Sequence, residues 1–203
     1  MKITSYTKGY SLIEVLVAIA ILMIAIVGPL TIAAKSIQSS QYARQQITAT
    51  YFAQEGITAI HAIRNESALA TISDPTANPN PWQWTITSAG KYVGLDACFS
   101  EINGCNIDFS DSPLEDNAVS CATKSNCTLE LQITTSNSEK SPFYVIKATP
   151  PPPSPTPYTR RISLTPLNEG DEILITSTVE WNSKLLGGMH SVTATSSVFN
   201  IYK

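Results

Sequence analysis

Apolar side chains fill an unbroken stretch near the start of the chain, and this stretch is the strongest pattern in the sequence. Residues 15–34 are twenty positions without a charged side chain. A helix rises about 1.5 Å per residue, so a stretch of this length matches a hydrocarbon core of roughly 30 Å. An ordinary secretory signal has a shorter apolar region of about 7–15 residues. The pattern therefore predicts one transmembrane helix near the N-terminus.

A helical period continues after the apolar stretch, now with polar residues between the apolar ones. Spacings of three and four residues separate Ala53, Ile57, Ile60 and Ile63. Such spacings place side chains on one face of a helix. A coiled-coil seam is a rival use of this face, but no strict heptad is sustained. The pattern predicts an amphipathic continuation of the helix over residues 35–68.

The period changes from helical to strand-like in residues 69–203. Leu129, Leu131 and Ile133 alternate with polar residues, and residues 173–181 follow the same two-residue period. This alternation is typical of half-buried antiparallel strands. Further candidate strands are residues 82–87, 143–148, 160–165 and 192–201, with a turn at residues 187–188. A sheet whose apolar face covers the second half of the helix predicts the α+β fold class.

A proline-rich stretch separates two of the candidate strands. Residues 149–157 read TPPPPSPTP. Proline has no backbone N–H to donate to a strand ladder, and consecutive prolines favour the polyproline II conformation. The composition therefore predicts an exposed loop inserted between strands.

Four cysteines, Cys98, Cys105, Cys121 and Cys127, lie in the window 98–127, far from the apolar stretch. An even number beyond a membrane segment favours two disulfides in an oxidising compartment. Three pairings remain open, and the pairing of sequence neighbours is favoured. A structural zinc site is the competitor. The gaps of six and five residues within the two pairs do not fit its short C-x₂₋₄-C loops.

Charge bears on both orientation and partners. The net charge is −3 and only 14% of residues are charged, so no basic surplus predicts nucleic-acid binding. Lys2 and Lys8 precede the apolar stretch, while Lys35 and Arg44 follow it, which makes the positive-inside rule nearly a draw. The cysteines decide the orientation, because disulfides persist outside the cytosol. We expect a cytoplasmic N-terminus and an extracytoplasmic, β-rich head formed by residues 69–203.

Candidate catalytic and metal-binding groups are sparse. The two histidines, His61 and His190, stand in no recognisable catalytic motif. We therefore expect no enzymatic activity and no cofactor. Asp108 and Asp111 are weak candidates for calcium ligands, since clustered carboxylates supply oxygen ligands. Their stretch lacks the glycine and the terminal glutamate of an EF-hand loop, so a solvated loop is favoured over a metal site.

One acid, Glu14, stands at the start of the apolar stretch. A carboxylate within a membrane costs a few kcal/mol and usually has a partner. The stretch KGYSLIE, residues 8–14, resembles the processing site of type IV prepilins, with tyrosine in place of the more usual phenylalanine. The resemblance implies a leader of residues 1–9 and cleavage between Gly9 and Tyr10. It also implies N-methylation of Tyr10 by the same prepilin peptidase, and an assembly helix over residues 10–34.

The resemblance also assigns a partner to Glu14. In that family the glutamate is thought to meet the N-terminal amine of a neighbouring subunit, and opposite charges attract strongly where water is scarce. Gly28 and Pro29 interrupt the apolar stretch and predict a kink, since proline removes a backbone donor and clashes with the preceding turn. A proline tolerated in a straight membrane helix is the open alternative.

These features together predict a minor pilin or a pseudopilin of a type IV pilus-like or type II secretion-like system. The expected partners are the prepilin peptidase, other pilin or pseudopilin subunits, an inner-membrane assembly platform and membrane lipid. The expected location is the inner membrane, crossed once, and then a filament. The alternative is a single-pass membrane-anchored adhesin or receptor whose β domain does not polymerise.

Overall fold

A computed structural model describes residues 9, 11–74, 76, 95–100, 102–107, 118–136, 139–145, 154–183 and 187–200. The chain divides into two units, Met1–Arg44 and Gln45–Lys203. The long helix α1, Leu12–Ser73, contributes to both units. Residues 45–73 of this helix pack against an antiparallel sheet, which confirms the α+β fold class expected from the sequence.

Helix α1 ends at Ser73, five residues beyond the predicted end at residue 68, so that boundary was wrong. No breaker occurs before Asp74 and Pro75, and the residue that precedes a proline is disfavoured in the helical conformation. The Asp74 carboxylate then accepts hydrogen bonds from the Thr76 backbone N–H at 3.2 Å and from the Thr76 hydroxyl at 2.6 Å. The stop signal is therefore this Asp-Pro pair and not the polar residues before it.

Seven strands form the sheet in the described part of the chain. Their bounds in chain order are β1 Cys105–Ile107, β2 Ala118–Ser120, β3 Thr128–Ser136, β4 Glu139–Val145, β5 Ser154–Leu167, β6 Glu172–Asn182 and β7 Met189–Phe199. All pairs are antiparallel. One path of the sheet runs β2-β1-β5-β3-β4, and β6 joins the other edge of β5 and carries β7.

Five of the observed strands overlap predicted ones, and two were missed. Strands β3 to β7 overlap candidate segments. The three-residue strands β1 and β2 lie inside the cysteine window and are too short to show an alternating pattern. The candidate strand at residues 82–87 lies outside the described residues. Gly187 and Gly188 have positive φ angles of 67° and 101° in the β6–β7 connection, as the turn prediction requires.

The predicted proline-rich loop is wrong over its second half. Residues 149–153 lie outside the described part, but strand β5 begins at Ser154 and so includes Pro155 and Pro157. Pro155 pairs with Glu130 next to a register shift between Thr128 and Glu130. Proline is accepted at the first residues of a strand or at a bulge, because few ladder hydrogen bonds are lost there. Composition alone did not reveal that a partner strand was available.

The core lies between the second part of α1 and the inner face of the sheet. Ala59, Ile60 and Ile63 of α1 pack against a buried cluster of sheet residues: Ile162, Leu164, Ile173, Ile175 and Val198. Gly56 permits a close approach of helix and sheet. A Cβ at this position would lie 2.6 Å from the Ser177 Oγ and 3.1 Å from the Ile162 Cδ1. The glycine is therefore required by close packing.

Arg160 on β5 is a buried cation that joins the helix to the sheet. Its side chain is 2% exposed and forms an ion pair with Glu55 of α1 at 2.9 Å. The guanidinium also donates to the Asn106 Oδ1 at 2.7 Å and to the carbonyl oxygens of Ile107 at 2.8 Å and Phe52 at 3.4 Å. Buried charges are stable only when paired and hydrogen-bonded in this way.

Candidate functional site

Ser11 begins the long helix as its N-terminal cap. The Glu14 backbone N–H lies 3.3 Å from the Ser11 Oγ and 3.1 Å from the Ser11 carbonyl oxygen. Serine followed three residues later by glutamate is the spacing of a capping box. The capping role of Ser11 was not predicted from the sequence, although this Ser-x-x-Glu spacing could have revealed it. Helix α1 thus begins at Leu12, three residues after Gly9.

Glu14 occupies the first turn of α1 and is exposed. The partial positive charge at a helix N-terminus stabilises an anion in this position. Among the described residues the Glu14 carboxylate forms no hydrogen bond and no ion pair. Gly9 is also exposed, and Tyr10 lies outside the described residues. The Glu14 carboxylate is therefore available to a group from another molecule, since no described residue of the chain pairs with it.

The apolar stretch that follows Glu14 buries no side chain within the chain. An 18-residue window of α1 has a mean hydropathy of 2.8 and is 0% buried, so the helix is apolar and long enough to cross a membrane. Exposed fractions include 75% for Ile24 and 66% for Leu30. A helix that is apolar all round is stable in lipid or against other apolar helices, not in water. This segment fits membrane anchoring.

Helix α1 continues without a break through Gly28 and Pro29. Pro29 has no N–H to donate to the Ala25 carbonyl, so one helical hydrogen bond is lost at this point. The Thr31 hydroxyl donates to the Gly28 carbonyl oxygen at 2.8 Å. The kink expected at these two residues stays a prediction.

Two disulfides join sequence neighbours, Cys98 with Cys105 and Cys121 with Cys127. This is the pairing that the sequence favoured among three. Cys98 and Cys105 are fully buried in the core cluster, and the Cys98 carbonyl accepts a hydrogen bond from the Leu164 N–H at 2.8 Å. The cysteine window is therefore anchored to strand β5.

The candidate calcium ligands Asp108 and Asp111 lie outside the described residues. Within the described ranges, no three His, Cys, Asp or Glu side chains are grouped so that they could hold a metal ion. The two histidines contact different strands or rings of the head. The His61 Nε2 lies 3.2 Å from the Ser196 Oγ, and the His190 ring packs at 5.6 Å from the Trp181 ring.

Comparison with known proteins matches residues 4–28 to the family described as the prokaryotic N-terminal methylation motif. Comparison with curated proteins and with solved structures found no significant match. The matched residues include Gly9, Tyr10 and Glu14 and end at Gly28. The start of the chain thus carries the type IV prepilin signal motif, and this motif supports a type IV pilin-like precursor.

Proposed function

We propose that this chain is a minor pilin or a pseudopilin, with a structural and not a catalytic role. In this proposal the prepilin peptidase cleaves after Gly9 and methylates the new amine of Tyr10. The assembly helix then holds the subunit in the inner membrane, with the head on the extracytoplasmic side. An assembly platform transfers the subunit, together with other pilin or pseudopilin subunits, into a pilus or pseudopilus filament.

The observation that carries the proposal is the methylation motif at residues 4–28. Cleavage after Gly9 would leave Ser11, the helix cap, as the second residue of the mature chain. The new ammonium would then stand at the start of α1, where the helix dipole disfavours a cation. The same dipole favours an anion, so the amine gains by meeting a carboxylate from another subunit.

Glu14 supplies that carboxylate in our proposal. It is the one acidic residue in the first 54 positions of the chain. Transfer of an unpaired charge into an apolar filament core is costly, whereas pairing with a neighbour's amine recovers Coulomb energy in a medium of low polarity. A subunit placed out of register would leave both charges unpaired. The pair would therefore favour one axial register between subunits.

Intact-mass measurement of the chain purified from the membrane fraction tests the processing step. The expected mass lacks residues 1–9 and carries one additional methyl group on Tyr10. A chain that retains Met1, or one that begins after the apolar stretch, would contradict the proposal. The uncut chain would favour the membrane-anchored adhesin or receptor instead. A control variant with alanine in place of Gly9 should accumulate uncut if the peptidase reads this glycine.

Glu14→Gln tests the assembly step, because it removes the charge while it keeps the size of the side chain. We expect normal membrane insertion and processing, with incorporation into sheared filaments reduced by at least about tenfold, which corresponds to roughly 1.4 kcal/mol. Glu66→Gln is the matched control, since Glu66 is an exposed acid on the same helix. Equal incorporation of the two variants would refute the proposed pairing.

A further inference from the structure

The outward face of strands β5, β6 and β7 is a grid of hydroxyl groups, which we call the hydroxyl face. Its twelve positions are residues 159, 161, 163 and 165 on β5, residues 174, 176, 178 and 180 on β6, and residues 191, 193, 195 and 197 on β7. The strand register aligns them in rows. Serine or threonine occupies three, two and four of these positions respectively, hence nine of the twelve. None of the twelve side chains is buried.

Most of these hydroxyls bond to no residue in the described part of the chain. Thr178 and Thr193 bond each other, with their oxygens 3.1 Å apart. The other seven make no side-chain hydrogen bond to any residue that the structure describes. Each hydroxyl can donate one hydrogen bond and accept others. Six of the nine are threonines, which are β-branched and stiff at χ1, so these six hydroxyls can be ordered on binding at a small entropic cost.

Charge on the hydroxyl face is confined to one end and is balanced. Arg161 and Glu180 are its two charged residues, and among the described residues neither forms an ion pair. They line a pocket of about 200 Å³ together with Thr159, Thr178 and the disulfide of Cys121 and Cys127. In one pocket, a guanidinium can donate a hydrogen bond to one hydroxyl of a ligand while a carboxylate accepts a hydrogen bond from the next.

The Arg161 stem is held by the backbone beneath it. Gly104 has a φ of +62°, and a Cβ at this position would lie 2.8 Å from the Arg161 Cγ. The glycine thus leaves room for the stem to lie against the chain just before β1. This packing limits the positions of the guanidinium, so the charged end of the hydroxyl face is partly preorganised.

The chemistry of the face selects among classes of partner. A polyanion such as nucleic acid requires clustered Lys and Arg, and one arginine offset by one glutamate does not supply them. A stable protein interface has an apolar, often aromatic centre, whereas the centre of this face consists of hydroxyls. A neutral polymer rich in hydroxyl groups fits both the hydrogen-bonding capacity and the lack of net charge. Phe199, 55% exposed on the same side of β7, adds an apolar ring for the C–H face of a sugar.

We infer that the hydroxyl face binds an extended neutral polysaccharide. The four positions on each strand extend over about 20 Å, and three strands give a width of about 10 Å. These dimensions accommodate several sugar units that lie flat along the strands. The inference goes beyond the proposed function, because it rests on the head alone and requires neither processing nor assembly.

The test is depletion of the full-length chain, solubilised in detergent, by microcrystalline cellulose and by chitin. Heparin-agarose serves as the charged probe. We expect depletion by at least one neutral polymer and little change in 0.5 M NaCl, since salt screens charge pairs and not hydroxyl contacts. The triple variant Thr165→Val, Thr176→Val and Thr195→Val keeps the β-branched shapes and removes three hydroxyls. We expect it to lose affinity by about tenfold or more.

The matched control is Thr50→Val with Thr58→Val, which removes two hydroxyls from α1, away from the hydroxyl face. The control should bind as the parent does, and both variants should keep its melting temperature. The inference would be overturned if neither cellulose nor chitin depleted the chain. Undiminished binding by the triple variant would also overturn it. Binding to heparin alone would also overturn it. So would self-association that the triple variant abolishes, because the face would then belong to a contact between copies.

Discussion

The two parts of helix α1 differ in where their apolar side chains find contacts. Residues 12–44 are rich in Ile, Leu and Val, yet none of them is buried. Residues 45–73 include eight buried residues, spaced so that they share the face that packs on the sheet. The apolar side chains of the second part find their contacts within the chain, whereas those of the first part require contacts with lipid or with other helices. The stability of the head and the assembly of the subunit should therefore respond to different mutations.

Arg160→Met should have the largest effect on the head. It leaves Glu55, Asn106 and two backbone carbonyls without their donor, and breaking a buried pair costs about 3–5 kcal/mol. Denaturant unfolding of the full chain in detergent, followed by near-UV circular dichroism, measures the loss. Arg161→Met is the control, since the Arg161 side chain is next in sequence but exposed. This substitution should change the free energy of unfolding by less than about 0.5 kcal/mol. Similar losses in both variants would mean that the buried cluster contributes nothing specific.

Removal of the disulfide between Cys98 and Cys105, by alanine at both positions, should rank second. Loss of a native disulfide costs about 2–5 kcal/mol, and these two sulfurs also belong to the core. The disulfide between Cys121 and Cys127 closes a loop of similar length, with a sequence separation of 6 compared with 7 for Cys98 and Cys105. Cys121, however, is only half-buried. Its removal should cost less in non-reducing denaturant titrations. A larger loss for the second pair would contradict the importance of core packing.

Gly56→Ala compares the two parts of α1 most directly. Alanine favours helices by about 1 kcal/mol over glycine, but its Cβ would clash with Ser177. Overpacking costs about 1–3 kcal/mol, so we expect a net loss in the melting temperature of the head. Gly28→Ala adds the same atom where nothing lies within 4 Å. It should leave the melting temperature of the head unchanged, and a matching decrease there would show that the two parts of the helix are not independent.

Ser11→Ala should have the smallest and most local effect. Loss of an N-cap costs about 1 kcal/mol of helix stability, and here the loss falls on the first turn. Hydrogen exchange should accelerate at the amides of Glu14 and Val15 in detergent micelles, while the melting temperature of the head stays constant. Ser11→Asp keeps an oxygen acceptor and should retain slow exchange. Unchanged hydrogen exchange in the alanine variant would show that the Ser11 side chain does not stabilise the first turn of α1.

Local patterns predicted the apolar helix and the prepilin motif within the first 35 residues. The absence of charge over residues 15–34 and the KGYSLIE stretch are continuous in sequence, so no contact with the rest of the chain is needed to interpret them. The same holds for the longer strands, since β6 alternates buried and half-buried residues over most of its length. Periodicity is a local signal, and it predicted both the helix and the α+β class.

Contacts between distant residues decided what the sequence did not. The ion pair and hydrogen bonds of Arg160 could not be predicted from its neighbours in sequence, because its acceptors Glu55 on α1 and Asn106 on β1 lie 105 and 54 positions away. Strand β5 extends into the proline-rich stretch because β3 pairs with it there. The nine hydroxyls form one face only through the register of three strands. The sequence by itself determined the apolar helix and the prepilin signal motif, since both depend on neighbouring residues. Burial, strand pairing and register required the tertiary structure, because they depend on residues that only folding brings together.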